Sequence, residues 1–171
     1  MHELPESNVL ARQLSETVAG RSIEHVIAEP SPHKFCWYNG DAEDYPDLLR
    51  GATLDGAAGF GSYVELSAGT LRIAFSEGAT IRWLSPGAKR PDKHQLLLEL
   101  DDGSALVSTV RMYGGIFAFE DGTYASDYYL MAKGSLSPLE EEYDATRFRG
   151  LLPDDKPSLS VKAFLATEQR I

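Results

Sequence analysis

From residue 23 to residue 119 the chain is a succession of short apolar segments separated by turn-forming residues, with no helical stretch between them. The segments are 23–27, 33–38, 53–58, 62–66, 70–75, 80–84, 95–100, 104–110 and 116–119. Parallel neighbours need a crossover of a dozen residues or more, usually a helix, whereas antiparallel neighbours need only a tight turn. Ala68-Gly69 and Asp101-Asp102-Gly103 supply such turns. The pattern therefore predicts a mainly β fold, an antiparallel sandwich or barrel. Asn39-Gly40-Asp41 reads as a turn leading into an acidic loop with Tyr and Pro. Residues 86–92 read as a basic loop carrying Lys89 and Arg90, followed by Lys93.

The two ends of the chain read differently. Val9, Leu10, Leu14 and Val18 recur at helical spacing, so residues 5–19 are expected to form an N-terminal helix. Pro5 suits its first turn, Glu6 suits the positive end of its dipole, and Gly20 stands where a C-terminal cap belongs. Residues 134–138 read as a linker. Beyond them Ser137-Pro138-Leu139-Glu140 is a helix-start pattern, residues 143–152 can carry a short helix, and another begins at Pro157-Ser158 and runs through Val161, Phe164 and Leu165. The expected organisation is a β-sandwich domain over 1–133 and an incomplete helical domain over 134–171. The last helix ends with an apolar face and nothing to pack it, so the chain is expected to be a fragment; a completed small helical end is the alternative.

Apolar residues make up 43% of the 171, enough for a core. The formal charge of -10 argues against a nucleic-acid binder built from this chain's overall charge, and requires any such surface to be local or to be supplied by sequence outside these residues. Cys36 is the only cysteine, which excludes an internal disulfide; within Phe35-Cys36-Trp37-Tyr38 it reads as a small buried hydrophobe. A chain without disulfides, without an apolar run of 18 residues and without a signal peptide is expected in the cytoplasm, away from membranes. Oligomeric state is not legible.

The stretch His2-Glu3-Leu4-Pro5-Glu6 places two carboxylates within a few residues of the chain's α-amine. An amine beside carboxylates suits Schiff-base chemistry. This opening resembles that of the formamidopyrimidine-DNA glycosylase / endonuclease VIII family, which starts Pro-Glu-Leu-Pro-Glu after its methionine. Further along, Val18-Ala19-Gly20-Arg21-Ser22-Ile23 and Gly51-Ala52-Thr53-Leu54 resemble two of the family's glycine elements. Residues 97–103 and Arg111-Met112-Tyr113-Gly114 look like its hairpin and its Arg-Arg-Phe-Gly loop. Leu136-Ser137-Pro138-Leu139, Lys162-Ala163-Phe164-Leu165 and Gln169-Arg170-Ile171 resemble parts of its helix-two-turn-helix domain. The resemblance covers nearly the whole chain.

The resemblance implies DNA repair: a damaged base is flipped out of duplex DNA, the glycosidic bond is cut, and a Schiff base on the N-terminal amine permits strand cleavage. It assigns His2 to the nucleophile position, Glu3 to the proton shuttle and Glu6 to a carboxylate that orients the site. It places Ser62 on the hairpin tip and Arg111 and Tyr113 on the DNA-gripping loop, with Lys93 a further phosphate contact. The partner implied is damaged double-stranded DNA, gripped only by a full-length chain. No cofactor is expected here, since one cysteine cannot build the family's four-cysteine zinc site; zinc would belong to a finger beyond residue 171.

Three positions depart from the family pattern. His2 stands where the family has proline, and its amine is free only if Met1 is removed. A displacement by one residue can cost about a hundredfold in a preorganised site. Ser62 stands where the family has a lysine, and Met112 replaces the second arginine of the loop. Tyr113 in place of phenylalanine keeps a ring able to fill the gap left by a flipped base. Two readings stay open: a divergent glycosylase and abasic-site lyase of reduced activity, and a catalytically silent homologue that binds DNA or another partner. A β-sandwich with no nucleic-acid role is the third.

Overall fold

The structure is a computed structural model that describes residues 3–152 and 159–168. The chain divides into two compact units, Met1–Tyr124 and Ala125–Ile171.

Helix α1 (Leu4–Val18) opens the first unit with Glu3 at its N-cap. The Glu6 carboxylate accepts the Glu3 N–H at 2.9 Å, satisfying a donor that the first turn leaves without a partner. The buried face is Ser7, Ala11, Leu14 and Val18, not the fully apolar stripe expected from Val9 and Leu10. Val9 is exposed. A serine takes the inner position because its hydroxyl is hydrogen-bonded there, to Leu4 O and Gly61 O.

Among the described residues nine strands follow: β1 (Ile23–Ala28), β2 (Cys36–Tyr38), β3 (Gly56–Phe60), β4 (Tyr63–Ala68), β5 (Leu71–Phe75), β6 (Ala79–Leu84), β7 (Leu96–Leu100), β8 (Ala105–Val110) and β9 (Gly114–Glu120). They build a four-stranded sheet in the order β1-β7-β8-β6 and a five-stranded sheet in the order β2-β9-β5-β4-β3. The hairpins β3–β4, β4–β5 and β7–β8 are antiparallel, as their short turns require. One pairing departs from the expectation. Edge strand β2 lies parallel to β9, with Cys36 opposite Gly114 and Tyr38 opposite Ile116. The two are far apart in sequence, so no hairpin sets their direction, and the five-stranded sheet is mixed.

The core takes Val64, Leu66, Ile73, Phe75 and Ile116 from one sheet and Ile81, Leu96, Leu98, Leu100 and Leu106 from the other. Leu14 and Val18 of α1 and Leu49 join the same cluster. Each such side chain contributes about 1.5–3 kcal/mol through removal from water. The β7–β8 turn is fixed by Asp102, whose carboxylate accepts Ser104 Oγ at 2.6 Å and Ser104 N at 2.9 Å. These bonds, with Arg21 alongside, hold its carboxyl below the usual carboxylate range.

The acidic loop after Asp41 contains more structure than its composition suggested. A 3-10 turn (Ala42–Asp44) leads into helix α2 (Tyr45–Leu49). The buried Tyr45 hydroxyl accepts N–H bonds from Asn39 (3.0 Å) and Ala118 (3.1 Å) and donates to Ile116 O at 2.9 Å. Burial pushes its pKa up, partly offset by those two backbone donors. Phenylalanine at this position strands both donors and one acceptor, so Tyr45→Phe is expected to cost about 2 kcal/mol. Urea unfolding of the variant measures that cost; a change within about 0.5 kcal/mol would mean that this hydroxyl does not tie α2 to β9.

The second unit holds α3 (Asp127–Gly134), α4 (Ala145–Gly150) and α5 (Val161–Thr167). Ser126, Asp144 and Ser160 cap them. The helix-start pattern at Ser137 closes only one turn, with Ser137 N–H bonded to the Glu140 carboxylate. The helical reading of 143–152 shortens to α4, and α5 starts at Val161; Pro157 and Ser158 lie outside the described residues. Phe148 of α4 and Phe164 of α5 meet edge to face, with centroids 5.8 Å apart. Among the described residues no helix is long and apolar enough to cross a membrane.

Candidate functional site

The start of α1 meets the tip of the β3–β4 hairpin. Ser7 Oγ donates to Gly61 O at 2.9 Å. Gly59 lies so close to the helix that a Cβ there would sit 2.5 Å from the Ser7 carbonyl carbon and oxygen and 2.6 Å from Asn8 N. Glycine is the only residue that permits this approach. The contact carries Ser62 to the helix N-terminus, in the turn between Phe60 and Tyr63, whose rings stack at 5.8 Å.

Strand register extends this site along one end of the sheet. Val64 pairs with Phe75, Phe75 with Ile116, and Ile116 with Tyr38. The hairpin tip, the turn after β5, the loop before β9 and the segment before β2 therefore lie in a row. Four adjacent strands spaced by about 4.8 Å make this rim about 15 Å long from β4 to β2. The loop Arg111-Met112-Tyr113 stands at the β9 position, with all three residues exposed. It rests on the β5–β6 turn, where a Cβ on Gly78 would overlap the Tyr113 carbonyl oxygen.

The residues singled out in the sequence distribute as follows. Glu3 and Glu6 are exposed at the helix N-terminus, with Glu6 engaged in the cap. Ser62 is on the adjoining tip, and Arg111 and Tyr113 are farther along the same rim. His2 lies outside the described residues. Lys93 is exposed in the loop between β6 and β7. That loop is anchored over the four-stranded sheet by Arg90, which donates to Gly103 O and pairs with Glu99 at 3.3 Å. The positive charge of Arg90 is thus neutralised in place.

Ser7, Gly59 and Gly78 escaped the sequence reading although they set the geometry of the rim. A glycine inside a strand, between Ala58 and Phe60, was the available sign of close backbone approach. Nothing local marked its partner.

Solved structures share this architecture. A complex of the Lactococcus lactis Fpg protein with abasic-site DNA superposes with a TM-score of 0.76 over 99% of this chain and 62% of that one, at 21% identity. A complex of the LlFpg protein with THF-DNA and an inhibitor gives a TM-score of 0.78, at 22% identity, over 99% and 61%. MutM bound to DNA containing carbocyclic 8-oxo-G gives 0.78, at 22% identity, over 99% and 63%. The protein has the Fpg fold. It spans about three fifths of the length of these three structures. No protein-family model matches the sequence, and no curated protein matches it.

Proposed function

We propose that the protein is a divergent DNA glycosylase and abasic-site lyase that engages damaged duplex DNA along the rim from Glu3 to Tyr113. The observation that carries this reading is the row itself: an exposed carboxylate beside the N-terminus, a hairpin tip pressed against it, and an Arg-Met-Tyr loop farther along the same edge. The Fpg fold, in structures solved with abasic-site and lesion-containing DNA, supports it.

In this reading the N-terminal amine adds to C1′ of the damaged nucleoside while the glycosidic bond breaks. The base leaves with the bonding pair and takes up a proton. Glu3 hands a proton to O4′ as the sugar ring opens, leaving a Schiff base between the amine and C1′. Loss of a C2′ proton then expels the 3′-phosphate. The amine belongs to His2 if Met1 is removed and to Met1 if it is kept. Tyr113 fills the gap left by the extruded base, and Arg111 holds a phosphate.

One substitution favours a second reading, a silent reader of the same DNA. Ser62 supplies no positive charge at the tip, where a phosphate or developing oxyanion would need one. Borohydride trapping separates the two. Full-length protein incubated with abasic-site duplex and borohydride is expected to give a covalent adduct, lost when the α-amine is blocked. An absent adduct with salt-sensitive duplex binding leaves the silent reader, and absent binding removes both.

A further inference from the structure

We propose that Asn39-Gly40 is a site of spontaneous, non-enzymatic modification, and that its conversion to aspartate or isoaspartate unfastens edge strand β2 from β9. The inference stands apart from the DNA-binding reading above and does not depend on it.

Asn39 follows β2 directly and carries its attachment to β9 one step beyond the Tyr38–Ile116 pair. Its Nδ2 donates to Ala118 O at 3.2 Å, and its backbone N–H donates to the Tyr45 hydroxyl at 3.0 Å. The same hydroxyl accepts the Ala118 N–H at 3.1 Å. Both backbone groups of Ala118 are therefore latched to Asn39, one directly and one through Tyr45. With only three residues in the strand, this latch fixes its C-terminal end. At the other end Phe35 O accepts the N–H of Gly114, the residue after Tyr113, at 3.0 Å. The placing of β2 thus bears on the Tyr113 loop as well.

The next residue supplies the reacting nitrogen. Gly40 is exposed at φ +70°, and a Cβ on it would meet nothing within 4 Å. Among the described residues its N–H makes no hydrogen bond. Without a side chain it is the least hindered nitrogen that can follow an asparagine, itself a thermolabile residue. After losing its proton, Gly40 N attacks Asn39 Cγ. The new C–N bond closes a five-membered succinimide, and Nδ2 leaves as ammonia. Water then opens the ring at one carbonyl to give aspartate, or at the other to give isoaspartate. One water is consumed and one ammonia released, with no oxidant or enzyme.

The fold holds this reaction back. Asn39 Cγ reaches Gly40 N only after the side chain leaves Ala118 O, so conversion draws on the opened corner and not on the closed one. The product cannot close it again. A carboxylate at residue 39 only accepts hydrogen bonds, and it would face the carbonyl oxygen of Ala118. Isoaspartate also adds a carbon atom to the main chain between β2 and α2.

The test incubates full-length protein in mildly alkaline buffer, with and without enough urea to unfold it. Conversion is read as the mass increase of the peptide carrying Asn39 when an amide NH2 becomes OH. Asn8, the other asparagine of these 171 residues, is the internal reference: Val9 crowds the attacking nitrogen, and Asn8 Nδ2 donates to Leu4 O within α1. Asn39 is expected to convert well ahead of Asn8 in urea. In folded protein it is expected to convert about tenfold or more slowly than in urea, the factor that the two bonds of Asn39 impose on opening. Tyr45→Phe removes the acceptor of the Asn39 N–H and is expected to speed conversion in folded protein by about threefold or more. Asn39→Asp, made directly, is expected to lower Tm by about 3–9 °C, and it needs no Tyr45 variant to be read. Conversion of Asn39 no faster than Asn8 in urea refutes the site. Equal rates with and without urea refute the protection by these bonds. An Asn39→Asp variant with the wild-type Tm refutes the unfastening of β2.

Discussion

Gly59→Ala is expected to destabilise the first unit by about 3 kcal/mol and to part the β3–β4 tip from the start of α1. The added methyl carbon would meet backbone, not a side chain that could rotate away: Ser7 C and O at 2.5 Å, Asn8 N at 2.6 Å. Relief requires helix and strand to separate. Separation also strains the bonds that hold them, Ser7 Oγ to Gly61 O and the pair formed by Ser15 Oγ with Ala57 N (2.7 Å) and O (3.1 Å). For a chain of this size each kcal/mol lowers Tm by about 2–4 °C, so a drop of about 6–12 °C is expected. Ala58, on the exposed side of the same strand, is the control; Ala58→Ser should stay within about 0.5 kcal/mol. Equal thermal midpoints for Gly59→Ala and the control would mean that the hairpin does not lie against the helix, and the rim would lose its first member.

Gly78→Ala acts at the other end of the rim. Gly78 has φ +84°, a conformation that costs an L-residue about 1–2 kcal/mol. Its Cβ would also overlap the Tyr113 carbonyl oxygen, adding about 1–3 kcal/mol of overpacking. Gly69 separates the two contributions. It too has positive φ, +59°, but its Cβ would meet nothing within 4 Å. Gly69→Ala therefore reports the backbone cost alone, and the excess loss in Gly78→Ala reports the contact with Tyr113. In the DNA-binding reading the displaced loop also lowers affinity for abasic-site duplex by about tenfold or more, since a misplacement near 1 Å has effects of that size. Gly69→Ala should bind normally. Equal stability and equal affinity for the two variants would show that the β5–β6 turn does not support the loop.

Legibility in the sequence followed the range of the interactions. The β4–β5 and β7–β8 hairpins were readable because strand alternation and glycine turns are local signals, whereas the β3–β4 tip was placed only through the family resemblance. Helix α1 was readable from its spacing, but its inward Ser7 was not, because a buried hydroxyl makes sense only once its acceptor on Gly61 is known. Helix α2 was hidden in an acidic loop, and Tyr45 shows why: its three partners are Asn39, Ile116 and Ala118, two of them more than 70 positions away. Helix α3 was missed although Ser126, its cap, stands before Asp127 and a run of helix-formers. That was a signal overlooked rather than absent.

The sequence by itself determined a β-rich chain with an N-terminal helix, through turn chemistry and periodicity that act over a few residues. It also supplied the residue types of the candidate site: Glu3, Glu6, Ser62, Arg111 and Tyr113. Only the tertiary structure decided that these stand on one rim, that Arg90 is held by Glu99, and that Phe35 stands next to the Tyr113 loop. Strand order and the parallel β2–β9 pairing settle those points. Both depend on contacts between residues far apart in the chain, which no local pattern encodes.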